Sequence, residues 1–164
     1  MAGSDYLLHI DGIDGESNQD GHAKWIELQS WSWGEVNQGS ASIGSGGGSG
    51  KVSMQDFHFT CEYGIHSPNT FFHCADGKHI PKGELHIRKS GGKQEIFTTW
   101  RFEELTISSY QTGGSGHGNP LPTDQISFNF KKIEMEYKPQ KKDGSLDAAQ
   151  KANFDLKIGK GAKG

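Results

Sequence analysis

Only two cysteines, Cys61 and Cys74, occur in 164 residues, and they stand too far apart for a C-x-x-C motif. That excludes a disulfide-stapled scaffold and a thioredoxin-type redox pair, and leaves free thiols in a core as the expected state. Basic clusters are missing as well. Seventeen Lys and Arg against 20 Asp and Glu give a net charge of −3. Counterion release needs several cations on one surface, so no grip on nucleic acid or anionic lipid is expected. The longest apolar runs, such as Tyr6-Leu7-Leu8, fall far short of the ~20 residues that span a bilayer, so membrane insertion is not expected either. Residues 1–5 lack the charged and apolar stretches of a secretory signal, so the chain is expected to begin its life in the cytoplasm.

Branched apolar residues are scarce too: Leu, Ile, Val and Phe together number 31. Disorder would also need a high net charge, and here 17 aromatics are available for a core. A folded, glycine-rich single domain over 1–158 is the reading, with 159–164 as a flexible Gly/Lys tail.

Most segments between the glycines alternate apolar and polar with period two, the pattern of strands with one buried face. Strands are expected over 6–11, 24–33, 51–60, 83–89, 95–100, 103–111, 123–137 and 154–158. Alternation is cleanest at Ile126, Phe128 and Phe130, and its phase then flips to Ile133, Met135 and Tyr137, which predicts a bend at Lys131-Lys132. One segment reads as a short helix: Ser67 as N-cap, Pro68 at the first helical position and Gly77 past the end, with Phe71, Cys74 and Ala75 as an apolar stripe against the sheet. The fold class is therefore mainly β, a β-barrel of about eight strands with one short flanking helix. Glycine concentrates in three loops, 12–21, 39–50 and 113–118, the middle one linker-like and extended.

Chemical motifs mostly fail on inspection. The stretch 44–51 resembles a phosphate-binding loop, yet Ser45 stands where the first Gly belongs and Val52 follows Lys51 in place of Ser or Thr. Asp14, Glu16, Asn18 and Asp20 alternate like a calcium loop, but Gln19 replaces the turn glycine and Trp25 the bidentate acid. Cys61, His66, His73, Cys74 and His79 lie close in sequence without the paired spacing of a zinc site, so surface or cap histidines are expected and no metal or cofactor. There is no G-x-S-x-G elbow and no cysteine beside an evident base, while the acidic pairs Glu103-Glu104 and Glu134/Glu136 lie in strand-like sequence. Nothing in the sequence supports an enzyme. Trp25, Trp31 and Trp33 could stack on sugars, but large aromatics are more often core or subunit interface, and Phe71 joins them in that expectation.

An ordered series of segments then carries a resemblance. Ile10-Asp11-Gly12-Ile13-Asp14-Gly15-Glu16-Ser17, Leu28-Gln29-Ser30-Trp31-Ser32-Trp33-Gly34 and the glycine run closing on Gly50-Lys51-Val52 come first. Ser67-Pro68-Asn69, Gly77-Lys78-His79, Arg88-Lys89-Ser90-Gly91-Gly92, Thr112-Gly113-Gly114-Ser115-Gly116 and Tyr137-Lys138-Pro139-Gln140 follow. In this order they resemble the Hcp family, the haemolysin-coregulated proteins that build the inner tube of bacterial type VI secretion. The resemblance covers almost the whole chain. It implies a homohexameric ring, stacking of rings into a tube, contractile sheath and spike proteins as partners, effector proteins as cargo in the lumen, and export without a signal peptide. It also implies roles for the loops: Asp14, Gly15 and Glu16, with Gly44, Gly46, Gly47, Gly48 and Gly50, are expected at the ring-to-ring contact. Ser30 and Ser32, small and polar on the face opposite Trp31 and Trp33, are expected to line the lumen. Phe71-Phe72 departs from the Leu or Met common at these helix positions in the family. The competing reading is a monomeric β-barrel module that binds a small ligand or carbohydrate through its tryptophans.

Overall fold

The computed structural model describes residues 4–37, 51–89, 92–118 and 121–164. The glycine loop 39–50, and with it Gly44, Gly46, Gly47, Gly48 and Gly50, lies outside the described residues. In chain order the elements are β1 (Ser4–Ile10), β2 (Ile26–Glu27), β3 (Ser30–Ser32), β4 (Glu35–Asn37), β5 (Val52–Met54), β6 (Phe57–Glu62), α1 (His66–Asp76), β7 (Ile80–Lys89), β8 (Ile96–Gly113), β9 (Thr123–Asn129), β10 (Lys132–Tyr137), β11 (Gln150–Asp155) and β12 (Lys160–Lys163). The fold is mainly β with one helix, as expected, although the strands are more numerous and shorter.

All ladders are antiparallel. One runs β12-β11-β10-β8-β7-β1-β2 and a second runs β3-β6-β9-β8, so β8 belongs to both. Between β2 and β3 the chain crosses from one ladder to the other, Leu28 N–H donating to the Tyr6 carbonyl and Gln29 N–H to that of Thr60. The ladder therefore wraps around its core without closing into a barrel. The expected single strand over 24–33 is split at this crossing, because its two halves need different partners. The strand expected over 51–60 is likewise divided into β5, which pairs with β4, and β6, which pairs with β3 and β9.

In the opposite sense, 95–100 and 103–111 fuse into β8 of 18 residues. Its first half pairs with β7 and β10 and its second with β9. Glu104 adopts φ 55° at the changeover, and a bulge follows between Ile107 and Ser109. These two irregularities bend one strand from sheet to sheet. The phase flip after Phe130 is also realised: β9 ends at Asn129, Lys131 is exposed, and Ile133 is buried. Beyond it the expectation fails, because Met135 and Tyr137 are exposed while Glu136 is buried against Arg101.

The core is one cluster centred on Phe57, Phe59, Phe102 and Phe128, with Leu8, Ile10, Ile26, Leu85, Leu105 and Ile126 around them. Phe57 stacks on Phe128 at 5.1 Å between centroids and Phe102 meets Phe128 edge-on at 5.0 Å, so four aromatics fill a space that the two valines of the sequence could not. Trp31 and Trp33 pack against this core, Trp31 stacked on Phe57 and Trp33 against Trp100 and Phe130. The terminal segment does not remain a free tail: Lys160–Lys163 pairs with Ala152 to Asp155 as the outermost strand.

Candidate functional site

Three surface and sub-surface features carry the chemistry of the chain. The first is a polar wall. Residues Ser30 and Ser32 of β3 are exposed, and the register Ser30↔Thr60 and Ser32↔His58 places them beside the outward side chains of β6. Ser30 and Thr60 hydroxyls are 2.6 Å apart. Gln125 of β9, paired with Thr60 and with Gln111 of β8, extends the same face, and the concavity it shares with Ser109 encloses about 310 Å³. The structure thus brings Ser30 and Ser32 together with His58, Thr60, Gln111 and Gln125. Those four were missed in the sequence, although the signal was there: His58, Thr60 and Gln125 alternate with Phe57, Phe59 and Ile126, which point into the core, and Gln111 follows Tyr110, which packs against it.

The second feature is apolar and exposed. Helix α1 ends as expected, with Gly77 in the left-handed region at φ 68° and its N–H bonded to the His73 carbonyl. Its burial departs from the expectation. Of the stripe Phe71, Cys74 and Ala75, Cys74 is half-buried against the core while Phe71 and Ala75 are exposed, and the fully buried residues are His66, Ser67 and Thr70. Phe71 and Phe72 are 61% and 60% exposed, Phe71 touching only the Tyr110 ring edge-on among the aromatic contacts of the described residues. Phe71 is therefore a surface residue and not core. A second apolar surface lies along β4, β5 and β10, where Trp33, Val36, Met54, Met135 and Phe154 line a groove of about 660 Å³.

The third feature explains why α1 turns polar residues inward. The completely buried Asp124 of β9 accepts hydrogen bonds from the Ser67 hydroxyl at 2.7 Å and from the Tyr110 hydroxyl at 3.0 Å. His66 Nε2 lies 3.2 Å from its Oδ2 and 3.2 Å from Cys61 Sγ. Ser67, expected as the N-cap, stands inside the first turn, and Ile65 occupies the cap position with no side-chain bond. Burial pushes the Cys61 thiol up to about 12, with the Asp124 charge adding to it. Burial together with Asp124 raises Tyr110 to about 12 as well. For His66, burial lowers the ring below its ordinary range against the pull of Asp124. Cys61, His66 and Asp124 are the one group of three potential metal-ligating side chains found among the described residues.

The loop 12–21 is an ordered extended segment. Gly15 N–H donates to the Lys24 carbonyl at 2.7 Å and Ser17 N–H to that of Trp25 at 3.0 Å. Ile13, Gly15 and Ser17 are buried while Asp14, Glu16 and Asn18 face outward. Gly15 therefore corrects its expected role: a Cβ there would collide with the Trp25 carbonyl, so the residue serves the loop's fold and not a contact surface. Trp25 lies outside the main core and packs among the rings of His9, His22 and His86. With Trp31 and Trp33 against the core, the three tryptophans form no sugar-stacking platform.

The polar face of the larger sheet is laced by ion pairs. Arg101 donates to Glu134 and Glu136 at 2.8 Å each, and Lys138 and Lys151 approach Glu136 at 3.8 Å. The hydrogen bond from Arg101 holds the Glu136 carboxyl below the usual range against the effect of burial.

Known proteins share this fold. A family model described as "Type VI secretion system effector, Hcp" matches residues 7–137. Protein hcp1 of Pseudomonas aeruginosa is 40% identical over 144 residues, 87% of this chain and 88% of that one. Among solved structures, one titled "Structure of a type six secretion system protein" superposes with a TM-score of 0.91 at 29% identity, covering 98% of this chain and 100% of that one. Hcp1 from Salmonella typhimurium superposes with a TM-score of 0.80 at 31% identity, covering 99% of this chain and 100% of its own. A match of this extent, with the fold in agreement, makes the chain a structural protein of type VI secretion and not an enzyme: it belongs to the Hcp family.

Proposed function

We propose that the chain is a tube subunit: six copies close head-to-tail into a ring, rings stack, and the polar wall of Ser30 and Ser32 faces the channel, where effector proteins are carried. The supporting observation is the pair of exposed apolar surfaces on different elements, Phe71 and Phe72 on α1 with Ile65 at its cap, and the groove beside Val36 and Met135. Head-to-tail closure uses two unlike surfaces per copy, whereas a two-fold dimer uses one. Asp14 and Glu16, exposed on the 12–21 loop, and the glycine loop 44–50 are placed by this reading at the ring-to-ring contact. Sheath and spike proteins would meet the assembled tube, which is made in the cytoplasm and exported by the secretion apparatus.

Light scattering on the purified chain tests the ring. A particle of about six times 17.9 kDa is expected, and Phe71→Glu/Phe72→Glu should shift it toward single chains while leaving the circular dichroism of the fold intact. A single-chain mass for the unmodified protein at every concentration tried refutes the ring.

A further inference from the structure

The buried group at the junction of α1 with the smaller ladder gathers a thiol, an imidazole and a carboxylate around one ring nitrogen. His66 Nε2 faces Cys61 Sγ and Asp124 Oδ2 at the same 3.2 Å. One ring nitrogen carries one proton or one lone pair, so it cannot donate to Asp124 and accept from Cys61 at once. Asp124, with no exposure at all, has His66 as its one ion-pair partner among the described residues. Two hydroxyls, of Ser67 and Tyr110, hold its carboxylate in place in the manner of outer-shell supports of a metal ligand.

We propose that Cys61, His66 and Asp124 form a site for a divalent, thiolate-accepting metal ion such as Zn²⁺, which ties α1 to β6 and β9. The three donor atoms lie within 4.8 Å of one another. Tetrahedral zinc with its usual Zn–S, Zn–N and Zn–O lengths sets neighbouring donors roughly 3.3–3.6 Å apart, so the two 3.2 Å separations open by a few tenths of an ångström, the thiolate and carboxylate, no more than 4.8 Å apart, draw together, and a water completes the four ligands. The charges also balance. On binding, the Cys61 thiol releases its proton to solvent, His66 ligates neutral, and thiolate plus carboxylate offset the two charges of the ion. A mixed sulfur, nitrogen and oxygen set favours zinc or cobalt over calcium or magnesium, which take oxygen alone. His66 also lines a groove of about 620 Å³ that carries the carboxylates of Glu16, Glu27 and Glu62, an approach that concentrates cations at its ring. The site is independent of ring formation, because its three ligands come from one chain.

Cobalt titration of the chain carrying Cys74→Ser tests this, since Cys61 is then the remaining thiol and the near-isosteric serine keeps the volume at Cys74, which is half-buried against the core. With the chelator removed after treatment and a phosphine in place of a thiol reductant, one Co²⁺ per chain should bring up a thiolate-to-cobalt charge-transfer band and the visible bands of a tetrahedral ion, both displaced by Zn²⁺. In the unmodified chain, Zn²⁺ should raise Tm, and Cys61→Ser or Asp124→Asn should weaken its binding at least about 100-fold, the upper end of the cost of losing a mere outer-shell support. If those two variants fail to fold, the Cys74→Ser spectrum still decides. Cobalt uptake without a thiolate band in that variant, or no uptake at all, overturns the proposal.

Discussion

A Cβ at Gly15 has nowhere to go, because the Trp25 carbonyl already occupies its position, while the Gly15 N–H must stay bonded to Lys24. Replacing Gly15 by Ala is therefore expected to cost about 1–3 kcal/mol, the usual cost of forcing atoms into a packed site. A lower urea midpoint with an unchanged slope would show it; an unaltered midpoint would mean that the loop can relax outward. Charge acts at the same scale. Glu136 is buried beside Arg101, and its carboxyl is held below its ordinary range by that hydrogen bond. A lowered carboxyl pKa contributes stability that is fully present above the unfolded value, about 4.3, and is lost as pH falls through the folded value. The unmodified protein should thus lose stability more steeply on acidification than Glu136→Gln, measured as denaturant midpoints from neutral pH downward. Parallel curves for the two proteins would remove Glu136 from the acid limb.

Elements show where sequence periodicity suffices and where it does not. The stop of α1 at Gly77 and the face change after Phe130 were legible, because a left-handed glycine and a slip in a period-two pattern are local signals. The inward face of α1 was not. His66, Ser67 and Thr70 look like surface residues, and the reason they turn inward is Asp124, 57 residues beyond Ser67 in the chain. The same distance hid the cluster with Cys61, whose zinc-like partners were sought among its neighbours in sequence. Strand β8 was read as two with a break at Arg101-Phe102; in the fold those two residues remain paired to β7 and β10, and the bend falls later, at Glu104. At φ 55° a glutamate carries a steric cost of roughly 1–2 kcal/mol that glycine does not. Glu104→Gly is accordingly expected to destabilise less than Glu103→Gly, by about 1 kcal/mol after the loss of the exposed Lys157 pair is included. Equal losses at the two positions would show that the bend is unstrained.

For the whole molecule, the arrangement of surfaces matters more than any single group. The polar wall around Ser32 presents hydroxyls and amides with one histidine, which, as the channel lining proposed above, would suit varied cargo. Ser32→Arg is expected to leave the ring mass unchanged and to reduce co-purification of cargo protein; undiminished cargo would place the channel elsewhere. The wall was half legible, since Ser30 and Ser32 stood out beside the tryptophans, but their neighbours come from strands more than 25 residues away in the chain. At the far margin of the larger sheet, β12 has a neighbour on one side only, and all its side chains are exposed. Lysines at both ends of that strand guard the open row of backbone donors and acceptors. Crowded copies are thereby kept from adding strand to strand in an unlimited ribbon, and in the proposed tube lengthening would be left to the axis of a hollow needle.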